Sequence, residues 1–187
     1  MSGPDDFGPY QRIFRHHGYL ELLHCQWKST AVIREVAEIG DEHSFVRLMY
    51  ADPNWRPHLV ACIATLLARD PTELLPSLWE AVDKSSWVIP QLLVTAYFTD
   101  PALAYSIVTR AETSSNPKLI ASIYGIASGI EALIGWHSDF TTAERRRKLL
   151  EEDSRWDKSG VITIEWRTAI VERFAEIGRT LTPRTSS

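Results

Sequence analysis

VACIATLLARDP (60–71) and QLLVTAYFTDP (91–101) are two versions of one pattern, an apolar helical run closed by an Asp-Pro turn. AVIREVAEIGD (31–41) ends in a similar way, so Asp41, Asp70 and Asp100 stand 29 and 30 residues apart. In PKLIASIYGIASGIE (117–131), Glu131 follows 31 residues further on. The residues before the acids fall into columns. Eight before stand Ile33, Cys62, Leu92 and Ile123; four before stand Ala37, Leu66, Ala96 and Ala127. Eleven before stand Thr30, Leu59, Ile89 and Ile120; seven before, Ile63, Leu93 and Tyr124 follow a lone Arg34. Offsets of three, four and seven place these side chains on one face of a helix.

Each of the first three acids opens a second helix. Asp70-Pro71 and Asp100-Pro101 read as a capping acid followed by proline at the first helical position. Phe45, Leu74 and Ala104 stand four residues on, Val46, Leu75 and Tyr105 five on, and Met49, Leu78 and Val108 eight on, a second buried stripe. Loop-like stretches close these helices at 51–54, 83–86 and 113–117. The unit is therefore helix, tight turn, helix, loop, repeated about every 30 residues. The β-branched run Val161-Ile162-Thr163-Ile164 has no second strand to pair with and reads as the start of the last helix, about 163–180.

In its Asp-Pro turns and apolar columns, residues 28–135, the chain resembles HEAT-like (armadillo-type) repeat proteins of the short bacterial kind seen in phycobilisome-lyase-like repeats. Its period is shorter than the ~40 residues of typical HEAT units. The resemblance implies an all-α fold: a right-handed α-solenoid of about four helical hairpins with helical caps, since one hairpin cannot bury its own apolar face. A single domain is expected over 1–187, with an N-terminal cap helix in 1–27, repeats in 28–135, and a C-terminal helical cap with a short polar tail in 136–187. The helices expected in the caps are 9–25, 141–152 and 163–180.

Composition narrows the function classes. The chain has 187 residues, 44% of them hydrophobic, and a formal net charge of −4, which argues against nucleic acid as a partner. The first residues lack the basic and apolar segments of a secretory signal, and no apolar run is long enough to span a bilayer, so the expected location is the cytoplasm. Cys25 and Cys62 lie in apolar surroundings and read as buried thiols. No phosphate-binding loop, nucleophile elbow or Cys-x-x-Cys motif occurs, so no catalytic residue and no cofactor is assigned. His17 and His24 are seven apart on the expected N-terminal helix, not the four that zinc helices use, so no metal is assigned either. The run Arg145-Arg146-Arg147-Lys148 precedes Glu151 and Glu152 and reads as a salt-bridged helix face, Arg147 reaching Glu151 and Lys148 reaching Glu152.

A solenoid binds through its curved inner layer. Taking the helices before the acids as that layer, the positions off the apolar stripe become the partner-binding set: Glu35, Glu38, Thr65, Gln91, Thr95, Lys118 and Ser122, with Ala61 among them. Trp79 falls beside an apolar stripe and reads as core; Trp55 and Trp87 stand at loop-to-helix junctions; Trp136 and Trp156, in polar stretches, are the tryptophans chosen as exposed anchors. The expected function is a non-enzymatic protein-binding module, most specifically an immunity protein or antitoxin that neutralises a bacterial toxin, with a basic protein as partner. Two alternatives come from the resemblance. One is a nucleic-acid-binding protein like the DNA-repair glycosylases built from HEAT-like repeats. The other is a lyase or chaperone-like protein acting on a bound ligand.

Overall fold

A computed structural model describes residues 7–127 and 140–184, and every regular element among them is helical. The order is a 3₁₀ turn (Gly8–Tyr10), α1 (Gln11–Arg15), α2 (Tyr19–His24), α3 (Ser29–Ile39), α4 (His43–Ala51), α5 (Trp55–Leu67), a 3₁₀ turn (Thr72–Leu74), α6 (Leu75–Asp83), α7 (Ile89–Thr99), α8 (Leu103–Thr113), α9 (Pro117–Ala127), α10 (Phe140–Trp156) and α11 (Ser159–Glu176). Among the described residues, no helix is long and apolar enough to cross a membrane.

The helices before the acids pack in series, α3 on α5, α5 on α7 and α7 on α9. α4 and α6 pack on α5 and α7, and on each other. α11 lies against α3, α7 and α9, while α2 packs on α3 and α5. As a result α5 and α7 have almost no solvent face: every residue from Pro57 to Leu66 and from Ile89 to Ala96 is buried. The sequence carries this as runs that are apolar on all sides, the pattern of a helix covered all round. The columns read from the sequence sit in this core. Ile33, Cys62, Leu92 and Ile123 are each fully buried, and so are Leu59, Ile63, Ile89 and Leu93.

The terminal helices are held to the centre by bonds to the end of α2. Its last carbonyls have no partner within the helix. Ser29 Oγ donates to Glu21 O at 2.6 Å, Trp166 Nε1 to Leu22 O at 2.8 Å and Gln91 Nε2 to Leu23 O at 3.0 Å. These donors come from α3, α11 and α7 in turn. α9 and α11 approach closely where Gly125 meets Gly160: a Cβ on Gly125 would stand 2.7 Å from Gly160 O.

The recurring acids do unequal work. Asp70 is exposed and closes a local turn, its Oδ1 accepting from Thr72 N at 3.0 Å and Thr72 Oγ at 2.6 Å. Asp100 is buried; its Oδ1 accepts from Ala102 N at 2.8 Å, and its Oδ2 from Trp79 Nε1 at 2.8 Å and Ser106 Oγ at 3.3 Å. Both prolines lie before the helix proper, since α6 starts at Leu75 and α8 at Leu103. Arg110 lies over Trp79, 4.2 Å from the ring centroid, and grips both oxygens of Asp83 at 2.7 and 2.8 Å, which ties α8 to α6.

Several expected boundaries move. The helix expected over 9–25 is broken: His17 adopts φ of 57°, and the chain turns before Tyr19. A left-handed non-glycine residue ends a helix. The stripe of α8 is shifted one residue earlier, with Leu103, Ile107 and Ala111 buried while Ala104 and Tyr105 face solvent. The last helix begins at Ser159 and takes in the β-branched run, with Thr163 buried and its hydroxyl donating to Ser159 O at 2.7 Å.

Two stability predictions follow from these bonds. Asp100→Ala leaves the buried Trp79 indole N–H unpaired and removes a cap, for a loss of about 2–4 kcal/mol in urea unfolding; the same change at exposed Asp70 costs less. Trp166→Phe strands Leu22 O and also leaves a cavity where the larger, fully buried indole stood, for a loss of about 2–4 kcal/mol by the same measurement.

Candidate binding surface around Trp87

Three tryptophans stand where helices begin. Trp55 is the first residue of α5, Trp87 lies two residues before α7, and Trp27 two before α3. The connections that place them are short turns. Asp52 Oδ1 accepts from Asn54 N at 2.7 Å, and Lys84 and Ser85 donate their backbone N–H groups to Glu80 O and Val82 O to finish α6. Trp27 and Trp87 are left 71% and 54% exposed, well above what a core tryptophan shows.

A path of aromatic rings leads to two of them, Trp55 and Trp87. Phe14 and Tyr19 stand 6.0 Å apart by ring centroid, Tyr19 and Trp55 6.3 Å, and Trp55 and Trp87 4.9 Å. Cations accompany them. Arg56 lies 5.1 Å from the Trp55 ring and 6.0 Å from Tyr19, Lys118 5.6 Å from Trp87, and Lys28 5.6 Å from Trp27. A cation over a ring face is attracted by its quadrupole, and tryptophan, tyrosine and arginine are the residue types enriched at interface hot spots.

Trp87 borders two cavities. One, of about 530 Å³, is bounded by Trp55, Trp87, Tyr50, His58, Lys84 and Ser86. The other, of about 130 Å³, lies between Trp87, Gln91, Lys118, Asp157, His24 and Ile162. In the larger cavity His58 is buried and bonded at both nitrogens, Nε2 to Asp52 O at 3.0 Å and Nδ1 to Ser86 Oγ at 2.7 Å. A carbonyl only accepts, so Nε2 carries the hydrogen and the Ser86 hydroxyl donates to Nδ1. Burial lowers the His58 pKa, against the opposing pull of the Asp52 carbonyl and carboxylate. A hydroxyl bonded to a neutral imidazole is the first half of a nucleophile–base pair, but a backbone carbonyl stands where a carboxylate orients such a base. The work visible in the geometry is mechanical, tying the 52–54 turn to the residues before α7.

The residues singled out from the sequence are scattered. Glu35 is half-buried and pairs with Arg12 at 3.2 Å, and Glu38 is exposed near the end of α3. Thr65, Thr95 and Ser122 have no exposed surface. Thr65 and Thr95 donate to the carbonyls four residues back, Ala61 O at 2.8 Å and Gln91 O at 2.9 Å, so their hydroxyls sit in the core already bonded. Gln91 and Lys118 meet at the smaller cavity. Trp156 ends α10, and Trp136 lies outside the described residues.

Elsewhere Arg147 pairs with Glu151 at 2.6 Å, whereas Lys148 reaches back to Glu144 at 3.6 Å instead of forward to Glu152. Glutamate four residues before lysine is the more favourable order on a helix. Cys25 and Cys62 are free, and burial pushes both thiols up to about 12, so neither is a thiolate at neutral pH. Sequence reasoning missed Trp27, Tyr19, Arg56 and His58, and passed over Trp55 and Trp87. The available signal was the recurrence of tryptophan at the start of successive units, in Gln26-Trp27-Lys28, Asn54-Trp55-Arg56 and Ser86-Trp87-Val88.

Comparison of the chain with known protein families, curated proteins and solved structures finds no match.

The buried histidine sets a pH dependence. A folded pKa below the ordinary value means that the unfolded chain takes up the proton first. The contribution of neutral His58 is then complete above about pH 6.5 and is lost as pH falls through the folded pKa, at up to ~1.4 kcal/mol per pH unit. Unfolding measured between pH 7.5 and about 5 shows this slope in the wild type, and His58→Gln reduces it.

Proposed function

We propose that this chain is a non-enzymatic protein-binding module built as a right-handed, HEAT-like helical solenoid. The serial packing of α3, α5, α7 and α9, with α4 and α6 outside them, supports the solenoid reading. The contact surface is the tryptophan edge rather than the inner face of the stack, because α2 and α11 pack on the helices that form that face. One observation carries the proposal: Trp27 and Trp87, 71% and 54% exposed, stand beside cations at the mouths of helices whose own cores are complete. Tryptophan is among the residue types enriched where proteins bind one another.

The most specific role is that of an immunity protein or antitoxin, acting in the cytoplasm and holding a toxin through this edge. The net charge of −4 favours a basic protein as partner. Neighbouring aromatic rings with interleaved cations also suit a single nucleic-acid strand, and the same charge opposes that reading.

Capture from native lysate, with and without nuclease, tests the proposal. The expected outcome is one stoichiometric protein that survives nuclease, is lost with Trp55→Ala/Trp87→Ala, and is kept with Glu38→Ala. Recovery of nuclease-sensitive material alone overturns the protein-binding reading. Equal capture by the double tryptophan variant overturns the assignment of the surface.

A further inference from the structure

Residues 179–184 leave α11 and cross to the ends of α3 and α5 that lie opposite the tryptophans. Gly178, left-handed at φ of 74°, ends α11, and Arg179 N donates to Phe174 O at 2.9 Å across the turn. Beyond that turn the segment is lightly held among the described residues. Arg179 Nη1 donates to Leu67 O, the last carbonyl of α5, at 3.1 Å, and Leu181 packs half-buried against the core. Thr180, Thr182, Pro183 and Arg184 are exposed. So few contacts offset little of the entropy lost on ordering six residues, so the segment is open to exchange.

Beneath it lies a cavity of about 420 Å³ that it does not fill. The floor belongs to the core: Val36, Ala64, Leu66 and Phe174 are all buried. The rim is where α3 and α5 both end, at Ile39 and Leu67. Asp41 and Arg69 balance each other among the lining residues, so the carbonyl ends of the two helices decide the sign, and they favour a cation. Beyond the rim, the Asp70 carboxyl is held below its ordinary range first by its bonds to Thr72, and Arg184 adds to that pull. The segment in place matches these surroundings. Arg-Thr-Leu-Thr-Pro-Arg brings a guanidinium to the end of α5, a leucine to the apolar floor, and no acid.

We infer that this groove is a docking site for an extended basic segment of a protein partner, and that residues 179–184 occupy it in cis until that segment displaces them. The partner rests on the protein-binding reading, but the groove is testable without one.

The capped peptide Arg-Thr-Leu-Thr-Pro-Arg is titrated into the full chain carrying Arg179→Glu/Leu181→Asp, which releases its own tail, while the amide resonances of Gly40 and Ala68 are followed. The expected result is a saturable shift. The wild type needs about tenfold more peptide or more, because its tethered tail competes at a high effective concentration. A peptide with aspartate in place of its leucine produces no shift. The urea midpoint of the variant stays close to that of the wild type; a large fall makes the segment part of the core and overturns the inference. So does a shift that never saturates, or one equally strong in wild type and variant. Saturable peptide binding without any captured protein keeps the groove and removes the protein-binding reading. A captured partner held no more tightly by the variant than by the wild type keeps that reading and overturns the groove as its docking site.

Discussion

The fold depends on burying the end of α2. A helix terminus carries carbonyls with no partner in the helix, and taking them out of water is costly unless donors replace the solvent. Here the carbonyls of Glu21, Leu22 and Leu23 are met by Ser29, Trp166 and Gln91. Each donor belongs to a different helix, and Trp166 lies 144 residues from its acceptor. The three bonds fix where α3, α7 and α11 stand relative to one short helix. Cys25, left-handed at φ of 49° and fully buried, lets the chain leave this point and enter α3. The size of Trp166 matters as much as its N–H, since it and Phe174 are among the largest fully buried side chains.

The helices themselves were legible. Columns at offsets of three, four and seven before each acid gave α3, α5, α7 and α9, and the same residues fill the core. The reading lost contact with the structure where periodicity is silent. A threonine off the apolar stripe looks solvent-facing, yet Thr65 and Thr95 donate to carbonyls within their own helices and sit in the interior. Local pattern also cannot announce that α11 returns across α3, α7 and α9, because that packing is settled by contacts between segments far apart in the chain, such as Trp166 with Leu22. The one local warning was present in Val60–Leu67 and Gln91–Phe98, which are apolar around the whole helix rather than along one stripe.

The candidate surface was half legible for a related reason. Trp55 and Trp87 could be placed at junctions, but their meeting at 4.9 Å depends on α5 and α7 packing side by side. The same packing brings His58 of α5 to Ser86 before α7, where a buried neutral imidazole ties two turns whose tryptophans form the surface. Fold and surface thus share parts: the turns that end one helical unit carry the rings that the next unit's first helix displays.

Gln91 shows how tight that sharing is. Half of its amide holds the end of α2, and the other half, Oε1, is buried with no hydrogen-bond partner among the described residues. Glutamate at this position would offer no donor to Leu23 O, and leucine would offer neither donor nor acceptor. Asparagine has the right groups on a stem one carbon shorter. The polar residue that the sequence marked as part of a binding face is in this way a structural tie first, committed through its N–H to the α2 terminus, and it borders the cavity beside Trp87 only as part of that packing.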